Sequence, residues 1–377
     1  MRATVLRIED VDAGMASAWR ELVDRSASSN GWLDPRFVLP ARDWAVMARD
    51  LSLCVATDGH RVTGVLPVTP HRPFRRLRPE FLVTGGRFVD WHADSTLPLL
   101  DRAAPQAAMA ALLRAALDGW RRVRVELRGM PTEGVVGAAL GDALADRPGS
   151  VTRGETWSRP FVPPRAEVVP IGPGRATALL VGHMSGRRRR EVLRRARALE
   201  RHLDGEIVLR RADPGRASED FETFQSSGWK GDVRSGGRGV LQDRGYRDWY
   251  RAVVAEFMSD GDLIAHELCV GDTVVYMHLA LRSGGRAFGF LDAYLGGLEA
   301  QRVGTLGRLA VSAELAHAPD LDGFEPGVSR HDREVTRMMP ASYEVADVTV
   351  HAAGLGGWVS RSVPAVEGLR RRLGRDA

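Results

Sequence analysis

Hydrophobic and polar positions along this chain fall into blocks whose period switches between helical and strand-like. Met15, Ala18, Trp19, Leu22 and Val23 recur at helical spacing and predict a helix over 15–27. Asp34-Pro35 predicts the start of a second helix running to about Arg49, with Asp34 as N-cap and Pro35 in the first helical position. Leu51–Thr57 and Arg61–Val68 read as a hairpin turning at Asp58-Gly59. Residues 80–92 read as further strand, Ala104–Trp120 as a long Ala/Leu-rich helix, and Arg122–Leu127 as an alternating strand. A helix near 134–146 and strands around 150–162 complete the first half.

Pro160, Pro163 and Pro164 predict a boundary, because proline ends regular pairing and stiffens a linker. Two domains are therefore expected, 1–164 and 165–377. The second opens with a strand at Ala166–Ile171 and a helix over Ser185–His202 capped by Ser185. That helix has an apolar stripe of Val192, Ala196, Leu199 and Leu203, and arginines crowd its other faces. A strand at Glu206–Leu209 and a helix over about Arg216–Ser226 follow. Gly228-Trp229-Lys230-Gly231 interrupts before another helix over about Gly245–Met258. Leu263–Ala316 then reads strand, tight turn, strand, turn, strand, glycine loop, helix. A strand near Leu321–Phe324, a strand over Tyr343–Val350 and a basic helix ending at Arg375 complete the reading.

The stretch from Leu53 to Val68 and that from Leu268 to Ala280 repeat one pattern of strand, glycine turn and strand. Cys54 and Cys269 fall at the same place in it, so they read as equivalent buried strand positions. They are the only cysteines and have no metal-ligand spacing. No apolar run reaches the about 18 residues of a membrane span. The acidic, interrupted N-terminus does not read as a secretory signal, and a cytoplasmic location is expected. The net charge of +5 permits an anionic partner without demanding one. Lys230 is the only lysine among 53 basic residues, which marks a place for a flexible point charge rather than a planar fork.

Three patches carry candidate chemistry. The loop around Gly304 joins a strand to a helix N-terminus, a geometry whose outward N–H groups suit phosphate. The helix holding Arg188 and Arg189 offers guanidinium groups for phosphate. In Val274–Leu281 one face is apolar and the other shows Tyr276 and His278; in Phe288–Leu295 the alternate face holds Phe288, Phe290, Asp292 and Tyr294. A three-residue turn at Ser283-Gly284-Gly285 sets Tyr276 opposite Asp292 and His278 opposite Phe290. A turn shorter by one residue moves Asp292 to the other face. Asp292 buried there needs a partner or a raised pKa, the second of which suits a general base. His266 and Glu267 point to opposite faces of the preceding strand, so one of them reaches the cleft. Lys230 is placed to hold a phosphate or a substrate carboxylate. Walker, dinucleotide and Ser-His-Asp signatures do not occur.

In order and spacing, these segments resemble the tandem GNAT-fold proteins of the CelD-like group, related to the Fem-type aminoacyl transferases. The resemblance rests on Asn30-Gly31-Trp32-Leu33-Asp34-Pro35, the hairpin ending in Leu66-Pro67, the arginine-rich helix, Gly228-Trp229-Lys230-Gly231, Ala293-Tyr294, the Gly304 loop and Phe324-Glu325-Pro326-Gly327. It departs at Leu295, where the group usually has aspartate, and at Arg330-His331-Asp332-Arg333, near which the group tends to have lysine. The resemblance implies an α/β (α+β) chain with two GNAT domains, each a mixed, mostly antiparallel sheet flanked by helices, the first degenerate and the second carrying transfer. It implies amide formation on a small-molecule amine, with acyl-CoA or aminoacyl-tRNA as donor co-substrate and no tightly bound cofactor.

Within that reading Asp292, Tyr294, His278 and Tyr276 are the candidate catalytic groups. Gln301, Arg302, Gly304, Thr305, Arg188 and Arg189 are candidates for the donor, and Trp229, Lys230, Glu267 and Arg333 for the substrate. Gln301-x-x-Gly304-x-Leu306 resembles the GNAT pyrophosphate loop, with Leu306 expected to crowd the pyrophosphate. A non-catalytic accessory protein and a plain RNA-binding protein using the arginine helix stay open at this point.

Overall fold

The computed structural model describes residues 1–71, 80–117, 122–147, 149–232, 234, 236–328 and 332–353, the side chain of Trp229 excepted. Arg330, His331 and the expected basic tail helix lie outside the described residues. The chain divides into two units, Met1–Trp157 with the residues from Glu344 onward, and Ser158–Tyr343.

In the first unit β1 (Arg2–Arg7) and α1 (Ala13–Arg25) lead to the broken helical stretch α2 (Pro35–Val38), a 3-10 turn over Leu39–Asp43, and α3 (Ala45–Ala48). One helix was expected there. Asp34 caps it as predicted, accepting from the Arg36 N–H, but Pro40 has no N–H to continue the ladder. The hairpin β2 (Ser52–Asp58) and β3 (Arg61–His71) follows, then β4 (Glu80–Val83). Residues 87–92, read as strand, form α4 (Arg87–His92), because Gly86 at φ 114° turns the chain out of the sheet. β5 (Leu99–Leu100), α5 (Pro105–Ala116), β6 (Arg122–Pro131), α6 (Gly134–Ala145) and β7 (Val151–Phe161) complete the run. The sheet order is β1-β2-β3-β4-β6, then the chain's last strand, then β7, with β5 on β3.

The second unit opens with a two-stranded ribbon, β8 (Val169–Pro170) and β9 (Ala178–Leu179), where a longer strand at 166–171 was expected. Helix α7 (Gly186–Leu203) is capped by Ser185, and its stripe of Val192, Ala196 and Leu199 enters the core. Then come β10 (Ile207–Arg211), α8 (Pro214–Ser227), α9 (Arg244–Ser259), β11 (Leu263–Val270), β12 (Thr273–Ser283), β13 (Arg286–Tyr294), α10 (Val303–Leu315), β14 (Phe324–Glu325) and α11 (Arg333–Thr336). The sheet runs β10-β11-β12-β13-β14, antiparallel except for the last pair. Helices α7 and α10 contribute to one core with the sheet: Val192 and Leu199, Leu306, Leu309 and Ala310, and Tyr276 belong to the same buried cluster.

The last strand, β15 (Ala341–His351), pairs antiparallel with β6, so from Glu344 the chain belongs to the first unit. This departs from the expected division at 164/165. Strand pairing is a long-range choice that a proline-rich linker does not reveal. Among the described residues, no helix is long and apolar enough to cross a membrane.

Candidate active site

Register decides what the second sheet presents. The β12–β13 turn has two residues, not three, since Ser283 pairs with Arg286 across Gly284-Gly285. Both glycines have positive φ, as such a turn requires. That alone would send Asp292 to the wrong face. A β-bulge after Leu279 inserts one residue into β13 and restores the parity, so His278 pairs with Asp292 and Tyr276 with Tyr294. The expected pairs, Tyr276 with Asp292 and His278 with Phe290, are thus replaced, although Tyr276, His278 and Asp292 do come together. Phe290 lies at the bulge and stacks on Tyr250 with Trp249 at its edge.

Asp292 is the centre of the cluster. Arg308 Nε donates to its Oδ2 at 2.8 Å and the Tyr276 hydroxyl to the same oxygen at 3.2 Å. Lys230 Nζ donates to Oδ1 at 3.1 Å and to the Asp292 carbonyl oxygen at 2.6 Å. Burial acts to raise the carboxyl pKa, but the charges of Arg308 and Lys230 outweigh it and hold the group well below the usual range. Asp292 is therefore a fixed anion, and the raised pKa of a general base is not what the environment supplies. Arg308 is raised in turn, chiefly by Asp292. Burial, then the Asp292 charge, pushes the Tyr276 hydroxyl up.

His278 stands behind this cluster, stacked on Tyr276 with ring centroids 6.3 Å apart and edge-on to Phe324. Its Nδ1 has no hydrogen-bond partner, and burial, followed by the neighbouring His266, pushes its pKa down to about 3. It is a neutral imidazole. His266 sits opposite it on β11 and bonds Glu314 of α10.

Helix α10 fits this face because two of its positions are glycine. A Cβ at Gly304 would come within 3.1 Å of the Tyr294 ring, and one at Gly307 would collide with the ring of Tyr276. These glycines admit tyrosine rings to the helix. Arg302 precedes α10 in the left-handed region at φ 56°, a conformation that costs a side-chain-bearing residue about 1 kcal/mol or more.

Two cavities meet at the start of α10. One, of about 460 Å³, is lined by Lys230, Asp292, Tyr294 and Arg308 on one side and by Gly304, Thr305, Asp332 and Glu334 on the other. The second, of about 400 Å³, is lined by Ser185, Arg187, Arg188 and Arg195 of the α7 region. Arg302, Thr305, Glu334 and Met338 line both. Beyond Arg187, the exposed Arg190, Arg194, Arg197 and Arg201 continue along α7 at spacings of three and four. They form one stripe about 21 Å long.

Of the expected donor residues, Arg302, Gly304, Thr305 and Arg188 line these cavities; Gln301 and Arg189 are not among their lining residues. Leu306 is buried in the core and is also a lining residue of the second cavity. Of the expected substrate residues, Lys230 is in place, and the side chain of Trp229 lies outside the described residues. Glu267 pairs with Met277 and is not among the cavity-lining residues. Arg333 is exposed, while its neighbours Asp332 and Glu334 line the first cavity, because a helical turn aims adjacent residues apart. Sequence reading did not single out Arg308, Asp332 or Glu334 as site residues, whereas Arg187 and Arg195 belong to the arginine helix it offered for phosphate. Arg308 had a signal: with Glu314 it is the only charge in the otherwise apolar α10.

Residues 186–332 match the family model of the acetyltransferase (GNAT) domain. No curated protein matches the sequence. Among solved structures, FemX superposes at a TM-score of 0.50 and 9% identity over 88% of this chain and 95% of that one. The C-terminal domain of a protein provisionally named lysylphosphatidylglycerol synthetase, from Agrobacterium fabrum, does so at 0.50 and 11% identity over 93% and 96%. These likenesses are likenesses of fold: the chain shares the fold of these structures, with mixed sheets flanked by helices, and its residues 186–332 match the GNAT domain.

Proposed function

We propose that the second unit is an N-acyltransferase that moves an acyl or aminoacyl group from a phosphate-bearing donor to a small-molecule amine. The observation that carries this reading is the opening of Lys230, Asp292, Tyr294, Arg308 and the start of α10 into one cavity, beside a second lined by arginines. The donor's phosphates lie against Arg187, Arg188 and Arg302, with the helix dipole of α10 adding to the attraction. Its acyl carbon reaches the first cavity. An acceptor that enters as an ammonium first loses one proton to solvent. The neutral amine nitrogen then forms the new C–N bond, the C–S or C–O bond of the donor breaks, and one further amine proton balances the one taken up by the leaving thiol or hydroxyl.

Tyr294 is the group placed to deliver that proton. Burial and then Glu299 raise its pKa, so it keeps its proton at neutral pH. Asp292 holds Lys230 and Arg308, and their positive charge faces the oxyanion that develops on the carbonyl. His278 and Tyr276 support the far side of this cluster.

Both acyl-CoA and aminoacyl-tRNA satisfy this chemistry. The exposed arginine stripe on α7 continues well past the second cavity and favours the RNA-borne donor. The test is amide formation with acetyl-CoA or a pool of charged tRNA, using a panel of primary amines and mass detection. A product that disappears on RNase treatment identifies the RNA-borne donor. Tyr294→Phe is expected to lower kcat by about a hundredfold with an unchanged melting temperature. No product with either donor class, in a protein that binds neither, overturns the reading.

A further inference from the structure

We propose that the Arg302–Glu334 ion pair is a latch between the two cavities, opened when a phosphate of the acyl donor takes Arg302. The inference rests on the reading of the arginine-lined cavity as the donor site.

Both side chains line both cavities, so the pair stands where they join. It is a weak link. The N–O separation is 3.8 Å, and the side chains are 52% and 60% exposed. Exposed pairs at this distance contribute little, and water and salt compete with them. A phosphate is a stronger partner, because it offers a guanidinium two charge-assisted bonds at once. Arg302 stands at the N-terminus of α10, where an anion is favoured.

A second ion pair ties the same segments and behaves differently. Arg308 Nη1 lies 3.7 Å from Asp332 Oδ2, but Arg308 is anchored by the largely buried Asp292. Asp332 in turn caps α11 by accepting from the Val335 N–H. This contact is also long, but each of its members is fixed by a partner outside the latch. Only Arg302–Glu334 is free to exchange.

The exchange has a consequence for the acceptor. With Arg302 closed on Glu334, the cation and the carboxylate offset each other at the junction. With Arg302 turned to a phosphate, the Glu334 carboxylate stays on the transfer cavity without its cation. An ammonium entering that cavity then gains a partner it lacked. Donor binding therefore raises acceptor affinity, and by linkage the acceptor raises donor affinity.

The test is a double-mutant cycle read by calorimetric titration. The probes are inorganic pyrophosphate, acetyl-CoA and a short single-stranded RNA, and thermal melts check that each variant is folded. Glu334→Gln removes the competitor and is expected to tighten binding about threefold; Arg302→Gln is expected to weaken it about tenfold. In the Arg302→Gln background the gain from Glu334→Gln should vanish. An equal gain in both backgrounds would mean that Glu334 acts as a distant repulsive charge, and the latch is overturned. No gain in the wild-type background overturns it too. If none of the probes binds the wild type, the donor-site reading fails and takes the latch with it.

Discussion

The two units solve one packing problem in opposite ways. Each lays a helix on its sheet, and each holds an aspartate between two cations, Asp101 fully buried and Asp292 largely so. In the first, α5 packs on the sheet mainly through apolar groups: Ala108, Leu112 and Ala116 share a core with Cys54, Leu66 and Val68, and Arg122 of β6 adds a polar link by donating to the Ala115 carbonyl. Gly64 makes room there, a Cβ at that position lying 3.1 Å from Leu112. Asp101 is held by Arg25 and Arg61, and no cavity described for the chain includes it. In the second unit α10 brings Gly307 to Tyr276, Arg308 to Asp292 and Glu314 to His266. A polar seam thus runs between helix and sheet and ends at a cavity. Such a seam is costly unless every group finds a partner, and two imidazole nitrogens in it have none. On the proposed reading, the difference assigns the chemistry to the second unit and a supporting role to the first.

The comparison breaks most sharply at the two aspartates. Asp292→Asn leaves Lys230 and Arg308 without their anion and is expected to cost about 3–5 kcal/mol of stability. Transfer should fall by at least about a hundredfold. Asp101→Asn should lower the urea midpoint as much and leave kcat unchanged. Equal effects on kcat would end the distinction between the units.

Next is pH. The His278 pKa falls from an ordinary 6.5 to about 3 on folding, so between those values the unfolded chain binds a proton that the folded chain refuses. Stability is then full above about pH 6.5 and declines as pH falls toward 3, by on the order of a few kcal/mol. The depressed Asp292 acts in the same direction at lower pH. Its contribution is present above the ordinary carboxyl pKa and is lost as pH falls below it. Chemical denaturation across this range should show the decline in wild type and a shallower one in His278→Phe.

The helix contacts give a smaller effect. Gly307→Ala forces the Tyr276 ring to move and is expected to cost about 1–3 kcal/mol and to lower kcat, whereas Gly64→Ala presses only on the flexible end of Leu112 and should cost less. Melting temperatures and kcat of the two variants check this. The smallest effect concerns the thiols. Burial raises the pKa of Cys54 to about 12 and that of Cys269 upward as well, so neither should react with a disulfide reagent until the protein is unfolded. Fast labelling of Cys269 alone would mark the second sheet as the looser one.

Much of this was legible in the sequence, and the gaps share a cause. Ser185 and Asp34 were readable as caps because a cap is a bond between residues two or three apart. The stripe of α7 and the paired hairpins were readable because periodicity is local. Residues 87–92 were not, since a short apolar run fits either structure and Gly86 decided between them.

The sequence by itself determined most of the elements, their amphipathic faces, the arginine-rich helix, and a face carrying Tyr276 and His278. Only the tertiary structure decided that Asp292 shares that face, because one bulged residue reverses the side of everything beyond it. It alone gave Asp292 the partners Arg308 and Lys230, which lie 16 and 62 residues away along the chain. Those partners turned an expected base into a fixed anion. Ionisation depends on charge and burial in space, and neither is written in the order of neighbouring residues.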